Sequence, residues 1–579
     1  MHSLLTLCFF LSFSQAVPIH ETSNLLARND HDLQRGGFSL PIQRKKLNRK
    51  LGRRRYWRRQ DVSGATGLGN NNDLLYTTPI KLGDKVTAVH LDTGSSDLWA
   101  ITEDCSQDAC SRLSPLTHPI SSNGLNITNT NVVMHYGDSL TGTSATGKVA
   151  VDTATIAGIA ITNQPFGAVT ATTNTVVQFG AAGILGLGFP SGSEIQEAIV
   201  SAETGPLVST DSFVKSTWKS GPVLSRISMT HMLKDPMFAI ELQRSTIDIS
   251  EENGRLTIGE LPDGVDPNSI TWVPVKLYTP AEGGLKPPSF APDEIYPFRW
   301  EIDIDGVFLD GKRLADSTIP VSGGVNSTRV TALIDTGNSI IRGPRDVVED
   351  ILGRVSTNFK PGVANSATFP CEVPHRLAYM IGGKMFPIDP RDFIGEARPN
   401  DSTTCVADNL VETDAPGFGA TFRWSLGDPF FKSNLVAFHY GNLTHPSVDP
   451  PRIGIMSRVP ADADAKLTQA VNDAKTNGGA FENTIQIAPT DSAATAAQVT
   501  VSDDPNKARP TGVNAGGGGG TGTSPTSSSK PVVTIGMDGP SGGSKKNNSA
   551  GFGTSATVHA GGGVIMAMVG MVLGSVLVW

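Results

Sequence analysis

Two segments carry the same reactive grouping behind an apolar run: Leu91-Asp92-Thr93-Gly94-Ser95-Ser96 and Leu333-Ile334-Asp335-Thr336-Gly337-Asn338-Ser339. Carboxylates presented by duplicated loops can meet face to face. At close range the two cannot both ionise, so one stays protonated while the other serves as base, which is what activating a water molecule requires. Gly94 and Gly337 suit the tight turns and close backbone approach such a meeting needs. This chemistry calls for no cofactor, and no Cys-x2-Cys or paired-His spacing marks a metal site.

The elements that must position these loops also repeat. Asp92 precedes Gly186 of Gly183-Ile184-Leu185-Gly186-Leu187-Gly188 by 94 residues, and Asp335 precedes Gly427 of Trp424-Ser425-Leu426-Gly427-Asp428 by 92. A duplicated lobe with the site on its internal two-fold is the simplest account. Gly183–Gly188 is not a dinucleotide loop, because it lacks a following acidic ribose ligand and strand–helix alternation. From about 60 to 458 the text is short Val/Ile/Thr/Phe runs punctuated by Gly, Asn and Asp, as in Lys85–Leu91, Lys148–Ile156 and Met237–Leu242. Helical patterns are sparse, at Ser193–Ala202 and Arg345–Leu352. The expected class is all-β, with an N-terminal lobe over 60–240 and a C-terminal lobe over 241–458.

The chain carries 47 Lys/Arg against 55 Asp/Glu, a net charge of −8, unevenly spread. Residues 1–59 hold 12 Lys/Arg against Glu21, Asp30 and Asp32, so the basic front faces an acidic body as an electrostatic partner within one precursor. Met1–Ala16 reads as a cleavable secretory peptide with the apolar core Leu4–Leu11, which argues against nucleic acid as the partner of the basic segment. With Cys8 removed, Cys105-x4-Cys110 and Cys371-x33-Cys405 make two local disulfides in an oxidising compartment. Asn126, Asn326, Asn400 and Asn442 begin glycosylation acceptors. Residues 17–59 end in Arg53-Arg54-Arg55-Tyr56-Trp57-Arg58-Arg59, a processing site that would leave a chain starting near Gln60.

Beyond 458 the composition turns to Ala/Asp/Thr and then Gly/Ser, expected to be a coreless stalk over 459–548. Gly516–Gly520 is no phosphate loop, since no Gly-Lys-Ser/Thr follows. Val564–Trp579 is an uncharged terminal run that as a helix spans about 24 Å, short of a ~30 Å hydrocarbon core. With small residues and a spacer upstream it reads as a GPI-attachment signal over 549–579, with Asn548 or Ser549 as ω, and a tail anchor as the alternative.

These motifs together resemble those of the pepsin-like (A1) aspartic peptidases, fungal type, over about residues 60–458. The resemblance rests on both Asp-Thr-Gly loops, Trp99, the Cys-x4-Cys, Tyr136-Gly137-Asp138, Phe166-Gly167, Gly183–Gly188, Trp300, Cys371 with Cys405, and Trp424–Phe430. It implies a bilobal double β-barrel with the cleft between lobes. Asp92 and Asp335 would activate water, and Thr93 and Thr336 would cross-bond the loops. Ser95 would bond an outer carboxylate oxygen of Asp92, with Asn338 as its donor counterpart beside Asp335. Tyr136 and Gly137 would belong to a flap over the substrate, with Trp99 bonding the Tyr136 hydroxyl. Asp138, on a flap one residue shorter than usual, would favour a basic side chain. Ile184 would line the S1 pocket and Ala181 and Ala182 would widen it. Arg44-Lys45-Lys46 would sit in the cleft as an intramolecular inhibitor released by acid. The expected protein is a monomeric acid endopeptidase for polypeptides, made as a zymogen and tethered at the cell surface. The alternatives are an inactive binding protein of the same fold and a structural cell-wall glycoprotein.

Overall fold

The computed structural model describes residues 62–502, apart from 138–141, 206–207, 251–252, 321–328, 363–365 and 413–421. The expected leader, basic segment, Asp138, Asn326, Asn548 and Ser549 therefore lie outside the described residues. Among the described residues, no helix is long and apolar enough to cross a membrane.

The chain is mostly β and folds as two lobes of pepsin-like architecture. In the first, the strands Leu75–Leu82, Lys85–Asp92, Leu98–Ile101, Ile127–Tyr136, Thr143–Ile156 and Ile159–Thr172 build one large sheet. Lys85–Asp92 pairs in parallel with Gly183–Gly186, placing Asp92 opposite Gly186. The second lobe repeats the move: Thr331–Ile334 pairs in parallel with Trp424–Leu426, and the Asp335 amide donates to the Leu426 carbonyl at 3.0 Å. The matched sequence spacings are thus the two parallel pairings that carry the aspartates out of their sheets.

A six-stranded sheet joins the lobes, its central pair Met237–Glu241 and Asn434–His439 aligned Phe238 to Phe438. The rings of this sheet stack on the lobes from below. Phe238 and Phe438 lie 4.7 Å apart and Trp300 packs 4.2 Å from Phe189. The Trp300 indole and the Tyr440 hydroxyl both donate to the Leu187 carbonyl, at 2.9 and 2.7 Å. Each such buried ring contributes on the order of 2–3 kcal/mol, and its polar edge is satisfied on the loop that follows the Gly186 strand. The cleft floor is therefore rigid.

A buried ionic network pins the same junction. Lys432 reaches Asp73 at 3.1 Å, and Arg244 grips Asp392 through two 2.7 Å bonds. Burial opposes the charge on Asp73, but Lys432, Asn70, Ser245 and Thr246 outweigh it and bring its carboxyl down to about 2.

Helices are more frequent than the sequence pattern predicts. The two expected ones form as Glu194–Thr204 and Arg345–Val355, and Thr210–Ser220, Val223–Met229 and Ala463–Thr476 join them. The last corrects the expected start of the stalk. Residues 459–502 fold back over the lobes instead of leaving them. Ala463, Leu467, Ala470, Val471 and Ala474 form one buried helical stripe. Asp464 pairs with Arg376 at 2.6 Å. Ile485–Gln486 then adds to the first lobe's sheet beside Gly69–Asn71, and Val499–Val501 pairs in parallel with Ile159–Ile161. The strap bridges the lobes because its apolar stripe, though thin, has open sheet edges and a groove to cover.

Both cysteine pairs are bonded, Cys105 to Cys110 and Cys371 to Cys405. Asn126 and Asn400 are exposed, and Asn442 is half-buried in a turn where its Oδ1 accepts from Thr444 and His445.

Candidate active site

A cleft of about 980 Å³ runs between the lobes, and Asp92, Asp335, Tyr136, Gly137 and Ile184 all line it. Backbone geometry forces the two loops together. Thr93 N donates to Thr336 Oγ1 at 3.1 Å and Thr336 N to Thr93 Oγ1 at 3.0 Å. Each hydroxyl then donates across to the strand before the opposite aspartate, Thr93 to the Ile334 carbonyl and Thr336 to the Leu91 carbonyl, both at 2.8 Å. Four bonds of one symmetric set leave the loops no independent motion.

The glycines matter for the reason expected of a close approach. A Cβ on Gly94 would stand 2.3 Å from Asp335 Oδ1, and one on Gly337 would stand 2.3 Å from Asp92 Oδ1. Each lobe's glycine makes room for the other lobe's carboxylate.

Donors are shared unequally between the two acids. Asp92 Oδ1 accepts from Gly94 N at 2.8 Å and Ser95 N at 3.2 Å, and Oδ2 accepts from Ser95 Oγ at 2.5 Å. Asp335 Oδ1 accepts from Gly337 N at 2.8 Å. The sequence comparison paired Ser95 with Asn338, but Asn338 is turned away: its Nδ2 donates to Ser425 Oγ at 2.9 Å. Hydrogen bonds that favour the charged form thus gather on Asp92. Burial and the charge of Asp92 push the Asp335 carboxyl up, to about 8. Burial and the neighbouring charge thus favour a proton on Asp335.

His90 sits buried beside them, its Nδ1 3.0 Å from the Tyr76 carbonyl, with burial holding it neutral against the pull of Asp92. Behind the first loop, Asp97 caps the helix Glu194–Thr204 through Glu194 N at 2.8 Å and Ser193 Oγ at 2.5 Å. Burial nonetheless pushes its carboxyl up to about 7.

Tyr136 ends the strand Ile127–Tyr136, and Gly137 follows with φ +84°, a left-handed turn that glycine adopts without cost. Burial raises the pKa of the Tyr136 hydroxyl well above that of a free phenol, and a side-chain hydrogen bond with Trp99 pulls the other way. The Trp99 and Tyr136 rings lie 6.2 Å apart, tilted by 51°. On the same strand, Glu194 accepts from His135 N at 2.7 Å and meets His135 Nδ1 at 2.6 Å. Ala181 and Ala182 do not widen the cleft. Both are fully buried, with Ala182 tied between Ala88 and Ile101 through its backbone, because an adjoining strand covers them.

His90, His135, Glu194, Arg299 and Arg342 line the cleft without having stood out in the sequence. No local motif surrounds them. The only signal was position, since His90 lies two residues before Asp92 and Arg342 seven after Asp335.

Comparison with known proteins agrees with this geometry. A family model described as eukaryotic aspartyl protease matches residues 75–445. An aspartic protease of Phaffia rhodozyma is 26% identical over 447 residues, covering 74% of this chain and 89% of its own length. Embryonic pepsinogen of Gallus gallus is 26% identical over 65% of this chain and 80% of its own. Pepsin A of Sus scrofa is 26% identical over 66% and 82% respectively. The chain belongs to the eukaryotic aspartyl protease family.

Proposed function

We propose that the protein is an acid endopeptidase that hydrolyses polypeptides with water held between Asp92 and Asp335. The observation that carries this is the unequal pair itself, with three donors on Asp92 and one backbone donor on Asp335. In the productive state Asp92 is ionised and accepts a proton from the water, whose oxygen adds to the scissile carbonyl carbon. Asp335 gives its proton to the carbonyl oxygen, so the tetrahedral intermediate is neutral. Collapse breaks the C–N bond as the proton gained by Asp92 passes to the departing amine, and one hydroxyl of the intermediate returns a proton to Asp335, leaving the carboxylic acid and the starting state of the pair. The threonine cross-bonds keep the carboxyls in register through both proton transfers. Activity requires the one shared proton, so it falls as pH rises through the deprotonation of Asp335.

The basic segment 17–59 serves as an intramolecular inhibitor, which acid releases by protonating the carboxylates it faces. The leader 1–16 directs the chain to the secretory pathway, and 549–579 tethers it to the cell surface through a lipid at Asn548 or Ser549. Asp92→Asn in the processed full-length protein tests the enzymatic core. Peptide hydrolysis and pepstatin-type inhibition at pH 3–5 should disappear while the unfolding transition is retained. Undiminished proteolysis by the variant refutes the mechanism, and a wild-type protein that binds peptides without cutting them supports the inactive-binder alternative.

A further inference from the structure

We propose that Arg299 makes one subsite of this cleft selective for an acidic substrate side chain, a step that rests on the peptidase reading above. Arg299 lies in the short link between the strands Tyr296–Pro297 and Glu301–Asp303, on the cleft wall with Leu285, Phe298 and Phe422. Its guanidinium carbon stands 4.7 Å from the Phe298 ring centre, 5.5 Å from Phe422 and 5.9 Å from Tyr278. Aromatic rings hold a guanidinium by its flat faces, which leaves the N–H edges free to donate in the plane.

The side chain makes no hydrogen bond or ion pair among the described residues, and the acids around it are committed elsewhere. Glu301, two residues on and fully buried, accepts from Thr331 at 2.6 Å and from the Tyr278 hydroxyl, with Lys276 at 3.7 Å. Glu282 is held by the Thr279 amide at 3.1 Å and by Lys276 at 3.5 Å. Glu194 is occupied by His135. Glu197 is exposed, and Arg342 adds a second positive charge to the cleft.

A half-buried cation with its donors unspent has already given up part of its hydration. A carboxylate arriving on a substrate restores those bonds in bidentate form, whereas the isosteric amide leaves donors facing its NH2 group. The Ser191 hydroxyl, which donates to the Pro297 carbonyl at 2.6 Å, ties this wall to the loop after the Gly186 strand, so the subsite keeps a fixed distance from the dyad. The preference should therefore fall at one position of the peptide.

The test uses the processed full-length enzyme and fluorogenic peptide pairs that differ only by Glu or Gln, scanned along both sides of the scissile bond. At one position and pH 5, Glu should exceed Gln in kcat/KM by about tenfold or more, the size expected of a charge-assisted pair. The ratio should fall towards one at pH 3, where the substrate Glu, with an ordinary pKa of about 4.3, is protonated. Arg299→Gln should bring the pH 5 ratio to about one, and Arg299→Lys should keep part of it, since a single charge replaces a fork. Each ratio is taken within one protein, so a lowered yield of folded variant cancels. The proposal is overturned by a wild-type enzyme that cuts the peptides with no Glu preference at any position. It is equally overturned by a preference that persists at pH 3 or in Arg299→Gln. Failure to cut any of the peptides would instead refute the peptidase reading.

Discussion

Asn338→Ser tests the unequal dyad directly. In the first lobe a serine hydroxyl 2.5 Å from Asp92 Oδ2 favours the carboxylate, while in the second the equivalent side chain spends its donor on Ser425. A serine at 338 in the rotamer of Ser95 would place a hydroxyl on the outer oxygen of Asp335. A hydrogen bond to a charged acceptor contributes roughly 1.5–3 kcal/mol. At about 1.4 kcal/mol per pKa unit, that lowers the Asp335 carboxyl, now pushed up to about 8, by about 1–2 units. The sign follows from which form the new bond stabilises: it favours the ionised acid, so the shared proton is lost at lower pH. The alkaline limb of kcat/KM against pH should therefore move acidward by about 1–2 units. The limb belongs to the coupled pair, so the shift between the two proteins is the quantity to read. Loss of the Ser425 contact leaves one hydroxyl that can rotate to another acceptor, a small cost beside the change sought. An alkaline limb that stays in place, or moves upward, would refute the assignment of Asp335 as the acid of the pair.

The strap makes a second prediction. Leu467→Ala empties a fully buried site and should lower stability by about 2–5 kcal/mol in urea unfolding, and ending the chain at 458 should cost more. An unchanged urea midpoint for Leu467→Ala would show that the strap contributes nothing to the fold. Third, stability should decline between pH 4 and 8. Asp97, pushed by burial up to about 7, and Asp428, raised by burial, keep protons in the native state that the unfolded chain loses near pH 4. Their contribution is therefore present below pH 4 and lost as pH climbs through 7. Asp73, held down at about 2, adds stability that is fully present above pH 4 and lost as pH falls from there through 2, so the optimum lies near pH 4. Equal thermal midpoints at pH 4 and pH 8 would contradict this.

Much of the candidate site was legible because a close meeting of two acids demands local sequence. Each aspartate needs an apolar strand before it, a threonine to bridge and a glycine to admit its partner, and these occur in order within four residues. The constant spacing to Gly186 and Gly427 was legible for the same reason, since Gly186 ends the parallel strand that flanks Asp92 and Gly427 directly follows the one that flanks Asp335. The strap was misread because its composition is that of a linker. The stripe Leu467, Ala470, Val471 and Ala474 has helical period, yet only the waiting surface of the two lobes makes so thin an apolar face worth folding.

By itself, then, the amino-acid order determined the two-lobed β architecture, the identity of the two acids and the bonded cysteines, all of which rest on short-range patterns or on their repetition. Tertiary structure alone decided that burial and a neighbouring charge raise the Asp335 carboxyl, where Asn338 sends its amide, and that Arg299 stands on the cleft wall with its donors unspent among the described residues. These depend on rotamers, burial and charges brought together from segments hundreds of residues apart. Electrostatic energy in a dry cleft is set by such distances and by exclusion of water, and neither is written in any local stretch of the chain.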